Sequence, residues 1–329
     1  MNQPRTERIT LSGLELTRQS FPTDFTPNRS TFTLAITVLK RFLGEGWLRA
    51  NVLQDAQLSM PDGFFRMEFS SDDRRELKTT RVLDFAETLF NLQHIHGFDD
   101  RIDQMRTADA EATFAEFDFG RFLYIHDIDF RFVVPTGKRG QDYDCSITYE
   151  DGRKACADTK CRTEESEVRP ESIRHALETA RKRNLPKDKP GIVFVKVPQA
   201  WIEQPNVLGK VTAIARDFLR QTKRIVLVVL YSSVLILRKE EKMIWMRHLH
   251  REVENPEHRF DRTKSWLLFQ HFDVRPEWQG MPPKWHRIFT KGSVREVSGV
   301  RDLFGTDDAH RRLEAAFRDD VLPGSDAEN

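Results

Sequence analysis

The stretch that most constrains the fold is Gly140 to Arg162, with the sequence GQDYDCSITYEDGRKACADTKCR. Alternating side chains run up to Tyr149 and resume at Arg153, which is typical of two β-strands. The segment Glu150-Asp151-Gly152 between them ends in glycine, as expected of a three-residue hairpin loop closed by a left-handed residue. The sequence therefore predicts a β-hairpin in which Tyr149 faces Arg153.

The register of this hairpin decides which side chains share a face of the sheet. Counting along the ladder from a three-residue loop places Asp144 opposite Asp158, with Lys160 on the same face. A two-residue loop at Asp151-Gly152 would instead pair Asp144 with Thr159 and send the two aspartates to opposite faces. We predict the three-residue loop and, with it, two carboxylates and one ammonium group on a common face.

Two carboxylates directly opposite each other destabilise a sheet, and a divalent cation would neutralise them. Their hard oxygen atoms favour Mg²⁺, with Mn²⁺ as the alternative, and a nearby lysine could orient a metal-bound water. The competing interpretation is a salt-bridged face in contact with solvent, because short acidic-x-Lys patterns occur by chance. This chain contains two further matches, Glu76-Leu77-Lys78 and Glu240-Glu241-Lys242, neither of which has an acidic partner across a predicted hairpin.

Composition places the chain among ordinary globular proteins. Of 329 residues, 39% are hydrophobic and 31% are charged, and the formal net charge is +1. This balance gives no global basis for nucleic-acid binding, so any basic surface must be local. An odd number of cysteines, all within the hairpin, favours a reducing compartment (Cys145, Cys156 and Cys161). Because the first residues lack an apolar signal core and the longest apolar run is too short to span a bilayer, we expect a cytoplasmic protein without a membrane partner.

The sequence predicts a mainly helical N-terminal module over residues 1 to 106. Helical patterns cover Phe32 to Leu43 and Thr79 to Gln93, and alternation over Phe65 to Phe69 indicates a short strand. A group of polar residues then surrounds Gly97 (His94, His96, Asp99 and Asp100). We interpret this group as polar residues at a helix end rather than a metal site, since no third ligand with a defined spacing follows.

The next predicted helix, about Ala108 to Tyr124, carries a carboxylate within its apolar stripe. The stripe recurs at helical spacing (Ala112, Ala115, Phe119, Phe122 and Leu123), and Glu116 lies in its middle. A carboxylate in that position is costly unless it is paired, protonated or near a metal. The competing interpretation is an ion pair at the edge of the core, with Arg121 or Arg139 as the partner.

The remaining elements predict an α/β fold. A strand over Ile128 to Val134 and a basic loop precede the hairpin, and a helix begins at Pro170 after it. The apolar runs Ile192 to Val197 and Ile225 to Leu230 are typical of parallel strands covered on both faces, with a helix capped by Asn206 between them.

The sequence predicts a C-terminal extension over residues 239 to 329. It begins with a strand over Met243 to Val253, where His248 and His250 share a solvated face. Aromatic residues then cluster among basic ones, and covering a core is favoured over stacking with nucleic-acid bases (Trp266, Phe269, Phe272, Trp278 and Trp285). A last helix near Asp307 to Phe317 and a disordered tail complete the prediction.

The acidic residues in this order of elements resemble the PD-(D/E)xK, or restriction-endonuclease-like, nuclease superfamily. The resemblance rests on Glu116 in the first helix, Asp144 on the second strand and Asp158-Thr159-Lys160 on the third. It covers about residues 107 to 231 and implies an αβββαβ core, here assigned to 107–238. Tyr143 stands where the family pattern has proline, and the following helix lacks the Gln-x-x-x-Tyr signature of RecB-like exonucleases, so endonuclease or exonuclease action stays open.

The resemblance implies Mg²⁺-dependent hydrolysis of phosphodiester bonds in nucleic acid, with DNA favoured. It implies that the metal ligands are Asp144, Asp158, the Thr159 carbonyl and, through water or at a second site, Glu116. Lys160 would position the attacking water and stabilise charge on the phosphate. Candidate phosphate contacts are basic residues near the hairpin and on the helix after it (Lys138, Arg139, Arg162 and the basic face of the Pro170 helix). The alternative is a catalytically silent module that binds nucleic acid or a protein partner, and a homodimer is compatible with either function.

Overall fold

The computed structural model describes residues 7–52, 64–66, 72–164, 166–238, 243–269, 285 and 288. These residues form a mixed α/β structure built on a six-stranded sheet whose strands lie in chain order. The strands are β1 (Asp129–Phe132), β2 (Cys145–Thr148), β3 (Lys154–Cys161), β4 (Gly191–Lys196), β5 (Ile225–Arg238) and β6 (Met243–Glu254). Strands β1, β2 and β3 are antiparallel, β3, β4 and β5 are parallel, and β6 is antiparallel to β5.

Among the described residues, six helices precede the sheet in sequence and the others connect its later strands. The first six are α1 (Leu11–Gln19), α2 (Pro27–Leu43), α3 (Glu45–Asn51), α4 (Asp72–Leu92), α5 (Phe98–Thr107) and α6 (Ala110–Ile125). The later ones are α7 (Glu171–Thr179), which continues into a π-helical turn (Ala180–Asn184), α8 (Gln199–Ile202) and α9 (Val207–Arg220). None of the described helices is long and apolar enough to cross a membrane.

The two faces of the sheet contribute to two hydrophobic clusters. Ala157 and Phe194 lie in a cluster with side chains of α2, α4, α5 and α6. Cys156 and Val193 lie in a second cluster with side chains of α7 and α9. Neighbouring residues of one strand thus point to opposite faces, as strand geometry requires. The sheet is therefore covered on both sides around the hairpin, as predicted for β4 and β5.

The predicted order of elements agrees with the structure from α6 onward. Helix α6 is followed by three antiparallel strands, helix α7 and strand β4, which is the order helix, strand, strand, strand, helix, strand. Helices α2 and α4 correspond to the two predicted N-terminal helices, and β6 matches the predicted strand at Met243 to Val253. Helices α1, α3 and α5 are absent from the predictions, and α5 turns out to contribute directly to the candidate site.

Of two local predictions before the C-terminal region, the strand is not seen at Phe65, and the N-cap at Asn206 is confirmed in position. Phe65 does not lie in a strand but packs in an aromatic cluster, 5.2 Å from the ring of Phe85, while residues 67 to 69 lie outside the described residues. Asn206 does precede α9, but its backbone adopts a left-handed conformation (φ 63°) and its side chain makes no capping hydrogen bond.

The C-terminal aromatic residues within the described part of the chain are buried. Trp266, Phe269 and Trp285 are at most 7% exposed, which confirms a core role for these three. Trp285 also donates a hydrogen bond from Nε1 to Glu87 Oε1 at 3.1 Å. The predictions for Phe272, Trp278 and the helix near Asp307 to Phe317 lie outside the described residues.

Candidate functional site

The hairpin has the predicted register. In the ladder, Cys145 pairs with Ala157 and Thr148 pairs with Lys154. The Tyr149 amide donates to the Arg153 carbonyl at 2.8 Å, and Gly152 supplies the left-handed conformation (φ 82°) that closes the loop. The three-residue loop is therefore confirmed, and one step beyond the ladder Asp144 lies opposite Asp158.

Asp144 is buried just before β2 and is held by the main chain of β3. Its Oδ2 accepts a hydrogen bond of 2.6 Å from the Thr159 amide, and its own amide donates to the Ala157 carbonyl at 2.9 Å. Hydrogen bonds from a main chain in a sheet leave a carboxylate little rotational freedom. The position of Asp144 is thus determined by the hairpin itself.

Asp158 is fully buried, and each of its oxygen atoms faces a different nitrogen atom. Oδ1 accepts a hydrogen bond of 2.7 Å from Asn184 Nδ2 in the π-helical turn. Oδ2 lies 2.6 Å from Lys160 Nζ in an ion pair that lacks hydrogen-bond geometry. Lys160 Nζ also donates to the Thr159 carbonyl at 3.2 Å. The ammonium group therefore lies between a carboxylate and a carbonyl oxygen.

Glu116 is paired with an arginine from α5. Arg101 Nη1 lies 2.5 Å from Glu116 Oε2 and 3.4 Å from Asp144 Oδ1, and the arginine side chain is 2% exposed. Its Nη2 donates to the carbonyl oxygens of Val133 and Asp144 at 3.0 and 3.1 Å. The same guanidinium group therefore connects α6 to the start of β2.

Both partners expected for Glu116 from the sequence were wrong. Arg121 pairs instead with Asp84 and Asp118, at 2.8 and 3.1 Å. Arg139 lies on the exposed loop between β1 and β2 and donates through Nε to the Lys182 carbonyl at 3.0 Å. Proximity in sequence did not identify the partner, because α5 packs beside α6 and brings Arg101 to the carboxylate.

The site contains more carboxyl groups than cationic side chains. Its three carboxylates (Glu116, Asp144 and Asp158) face two cations (Arg101 and Lys160). Burial raises the pKa of Asp158, and the Asp144 carboxylate raises it further while Lys160 and Asn184 lower it. Burial also raises the pKa of Glu116, with Asp144 adding to the shift and Arg101 opposing it. Uptake of a proton or binding of a further cation would relieve the repulsion between these carboxylates.

The donor set suits a hard divalent cation without forming a complete cage. Within the described part of the chain, no group of three or more His, Cys, Asp or Glu side chains is arranged to hold a metal ion. However, Asp144, Asp158 and the Thr159 carbonyl offer oxygen ligands of the kind that Mg²⁺ prefers. Lys160 Nζ already places a positive charge between Asp158 and the Thr159 carbonyl. The chemistry of these oxygen atoms therefore suits a cation, and in this structure the ammonium group of Lys160 takes that place between Asp158 and Thr159.

The predicted phosphate contacts fall into two groups. Lys138 and Arg139 are exposed on the loop before β2. Arg162, which follows β3, is partly buried and donates from Nη2 to the Ser172 carbonyl at 3.0 Å, so it is held against α7. The exposed pair is available to a ligand, whereas Arg162 contributes mainly to the packing of α7.

His248 was predicted to lie on a solvated face but takes part in a partly buried polar network. Its Nδ1 lies 3.0 Å from Ser233 Oγ, and its Nε2 lies 2.6 Å from Arg121 Nη1 and 3.8 Å from Asp84 Oδ2. Arginine can only donate, so Nε2 accepts and Nδ1 carries the proton. His248 therefore cannot take a proton from Ser233 at Nδ1, and this arrangement is not a serine-hydrolase triad.

Two residues of the site, Arg101 and Asn184, are absent from the sequence-based predictions. A signal for Arg101 existed, because Phe98, Ile102 and Met105 recur at helical spacing around it and are buried in the structure. No comparable signal marks Asn184, which reaches Asp158 from a π-helical turn.

Comparisons of the chain with protein-family models, with curated proteins and with solved structures found no match. The geometry of the site is therefore the basis for any functional assignment.

Proposed function

We propose that this protein is a metal-dependent nuclease that hydrolyses phosphodiester bonds of nucleic acid, with DNA as the favoured substrate. The observation that carries the proposal is the hairpin register, which sets Asp144 opposite Asp158 with Lys160 2.6 Å from the latter. The element order from α6 to β4 supports a PD-(D/E)xK-like core within residues 107 to 238. The cytoplasm is the expected location.

In this proposal Asp144, Asp158 and the Thr159 carbonyl would hold Mg²⁺ or Mn²⁺. A divalent cation at such a site lowers the pKa of water and neutralises charge on a phosphate. The protein contributes rigid positioning, because the Thr159 amide holds Asp144 and the Asn184 amide group holds Asp158. Lys160 orients the attacking water and places its ammonium group near the phosphate oxygens.

Glu116 acts in this proposal through Arg101. The carboxylate holds the guanidinium group, which in turn donates to the carbonyl oxygens of Val133 and Asp144. These bonds support the chain at the start of β2, in addition to the hairpin bonds that hold the Asp144 carboxylate. Glu116 is in this sense a positioning residue, and a water-mediated contact with the metal would add to that role.

A second candidate function is a catalytically silent module that binds nucleic acid or a protein partner. One observation favours it: Arg101 and Lys160 already neutralise much of the charge on the three carboxylates. A protein that uses these ion pairs only for stability has no need of a metal. The two functions differ in metal binding and in chemistry.

The deciding experiment measures cleavage directly. Purified protein is incubated with single- and double-stranded DNA and RNA in EDTA, in Mg²⁺ and in Mn²⁺, and divalent-metal binding is measured by calorimetry. The nuclease proposal predicts cleavage of DNA that requires the metal. Absence of metal binding together with four intact substrates would establish the silent module instead.

A further inference from the structure

A pocket of about 530 Å³ opens beside the candidate site. Its walls come from the loop between β1 and β2 and from the π-helical turn after α7 (Gly137, Arg139, Asp142, Lys182, Arg183 and Asn184). π-Helical turns are rare and occur frequently at functional sites.

The two walls of the pocket are joined by hydrogen bonds. The Gly140 amide donates to the Arg183 carbonyl at 2.6 Å, and Arg139 Nε donates to the Lys182 carbonyl at 3.0 Å. Gly140 adopts a left-handed conformation (φ 79°), which glycine permits at little cost. The pocket therefore has a defined shape, although its basic side chains are exposed.

The charge of the lining suits an anion. Arg139, Lys182 and Arg183 line the pocket together with the single carboxylate of Asp142. Because Lys182 Nζ is paired with Glu178 Oε2 at 2.9 Å, the two arginines are the cations that an anion would meet. Asp142 Oδ1 already accepts hydrogen bonds from the amide and hydroxyl of Thr136, at 2.6 and 2.9 Å. Guanidinium groups match the geometry of both carboxylate and phosphate oxygens, and the nucleic-acid substrate proposed above supplies phosphate.

Asn184 connects the pocket to the candidate catalytic residues. Its side chain lines the pocket and donates to Asp158 Oδ1 at 2.7 Å. A phosphate bound in the pocket would therefore lie next to the position where Asp158 acts. Asn184 is thus the direct link between the exposed basic residues of the pocket and the buried Asp158.

We infer that this pocket binds a backbone phosphate of the DNA strand that runs past Asp158, next to the bond to be cleaved. The inference rests on the proposed nuclease function, in which the bond to be cleaved lies at Asp158. It goes further by defining the substrate. The substrate is a strand that extends beyond the scissile bond, rather than a dinucleotide or a small phosphodiester. A terminal phosphate monoester offers the same kind of oxygen atoms as an internal backbone phosphate. Binding measured on duplexes with different ends distinguishes these two sources.

The test measures DNA binding without catalysis. Fluorescence anisotropy in EDTA gives the Kd of a labelled DNA duplex at several salt concentrations for the wild type and for Arg139→Gln, Arg183→Gln and Arg183→Lys. Each glutamine variant should raise Kd several-fold and reduce the salt slope by about 0.9, the value for one lost phosphate contact on duplex DNA. Arg183→Lys keeps the charge and should retain most of the salt slope.

Arg220→Gln is the matched control, because Arg220 is exposed on α9 and does not line the pocket. Duplexes with 5′-phosphate, 3′-phosphate or hydroxyl ends identify the source of the anion. Equal affinity for all three indicates an internal phosphate, and tighter binding of one phosphorylated end that Arg183→Gln abolishes indicates a terminal one. The inference is overturned if Arg139→Gln and Arg183→Gln both match Arg220→Gln in Kd and salt slope.

Failure of the nuclease proposal would be distinguishable from failure of this inference. If the glutamine variants bind DNA more weakly but the wild type cleaves nothing, the pocket is a phosphate site on a silent module. If those variants bind DNA as the wild type does and the wild type cleaves DNA, the nuclease proposal stands and the phosphate site in the pocket is rejected.

Discussion

Arg101 Nη1 lies 2.5 Å from Glu116 Oε2, and this buried ion pair joins the N-terminal helices to the helix that leads into the sheet. Burial alone would lower the pKa of Arg101, but the Glu116 and Asp144 carboxylates raise it, so the guanidinium group stays charged. The N-terminal helices therefore contribute a cation to the candidate site, in addition to covering one face of the sheet.

Removing this cation should be costly. Arg101→Met keeps much of the side-chain volume but leaves Glu116 buried without its partner, so the free energy of unfolding should fall by about 3–5 kcal/mol. Adding Glu116→Gln should recover much of that loss, because the buried charge is then gone. Urea unfolding of both variants, with Arg220→Met as an exposed control, measures the effect. A loss for Arg101→Met no larger than that for the control would contradict the assigned pairing.

Gly97 determines where α5 begins and so where Arg101 lies. Its φ of 82° is left-handed, and a Cβ at this position would overlap the carbonyl oxygen of Phe132. Gly97→Ala should therefore destabilise the protein by at least about 1–2 kcal/mol from the backbone conformation alone. Gly209→Ala is the control, since Gly209 lies inside α9 with no atom within 4 Å of the position that a Cβ would take, and it should stabilise by about 0.5–1 kcal/mol. Thermal unfolding of both variants checks the contrast, and equal effects would refute it.

Glu252 should make stability depend on pH. Burial raises its pKa to about 7, although the Leu268 and Phe269 amides donate to it and oppose the shift. The folded protein therefore keeps a proton that the unfolded chain releases near pH 4.3, a typical glutamate value. The resulting stabilisation is complete below that pH and is lost as pH rises through about 7.

The measurement compares melting temperatures of the wild type and Glu252→Gln between about pH 5 and about pH 8. Glutamine has no proton to lose, so the melting temperature of the variant should rise relative to the wild type as pH increases. The exposed Glu257→Gln control should show no such trend. A constant difference between Glu252→Gln and wild type over this range would be inconsistent with a raised pKa.

Lys160 should be required for cleavage but not for metal binding. Its ammonium group is not a ligand and lies between Asp158 Oδ2 and the Thr159 carbonyl, where it competes with a cation. Lys160→Ala should lower the cleavage rate severely while Mg²⁺ affinity, measured by calorimetry, stays equal or increases. Lys154→Ala, an exposed lysine on the same strand, should leave both quantities unchanged. Loss of Mg²⁺ binding in a folded Lys160→Ala protein would mean that the cation site is wrongly placed.

The hairpin and the sheet were predictable because their signals are local. The glycine at the end of the loop sets the register of β2 and β3, and that register alone brings Asp144 and Asp158 to one face. Likewise, the apolar runs of β4 and β5 indicate strands covered on both sides, which the structure confirms. Patterns of this kind depend on neighbouring residues in the sequence, so they can be interpreted without knowing how the elements pack.

The partners of the site residues were not predictable, because tertiary packing selects them. Glu116 lies near several arginines in sequence, and the one that reaches it, Arg101, belongs to a helix that was not predicted. Asn184 reaches Asp158 only because a π-helical turn, tied to the loop by the Gly140 amide, redirects the chain. A sequence pattern shows which face a side chain occupies but not which distant group meets it there.

The most direct test of the central claim is the Mg²⁺-dependent cleavage of DNA by Asp158→Asn beside the wild type. The exposed Asp217→Asn variant on α9 serves as the control. Because Asp158 is proposed to bind the metal directly, Asp158→Asn should reduce the cleavage rate by more than about 100-fold, the upper end of what loss of an outer-shell partner of a metal ligand costs. The variant should stay folded and keep its affinity for DNA in EDTA, since its neutral side chain relieves repulsion from Asp144. Cleavage by Asp158→Asn at the wild-type rate would contradict the assignment of these carboxylates as the catalytic centre.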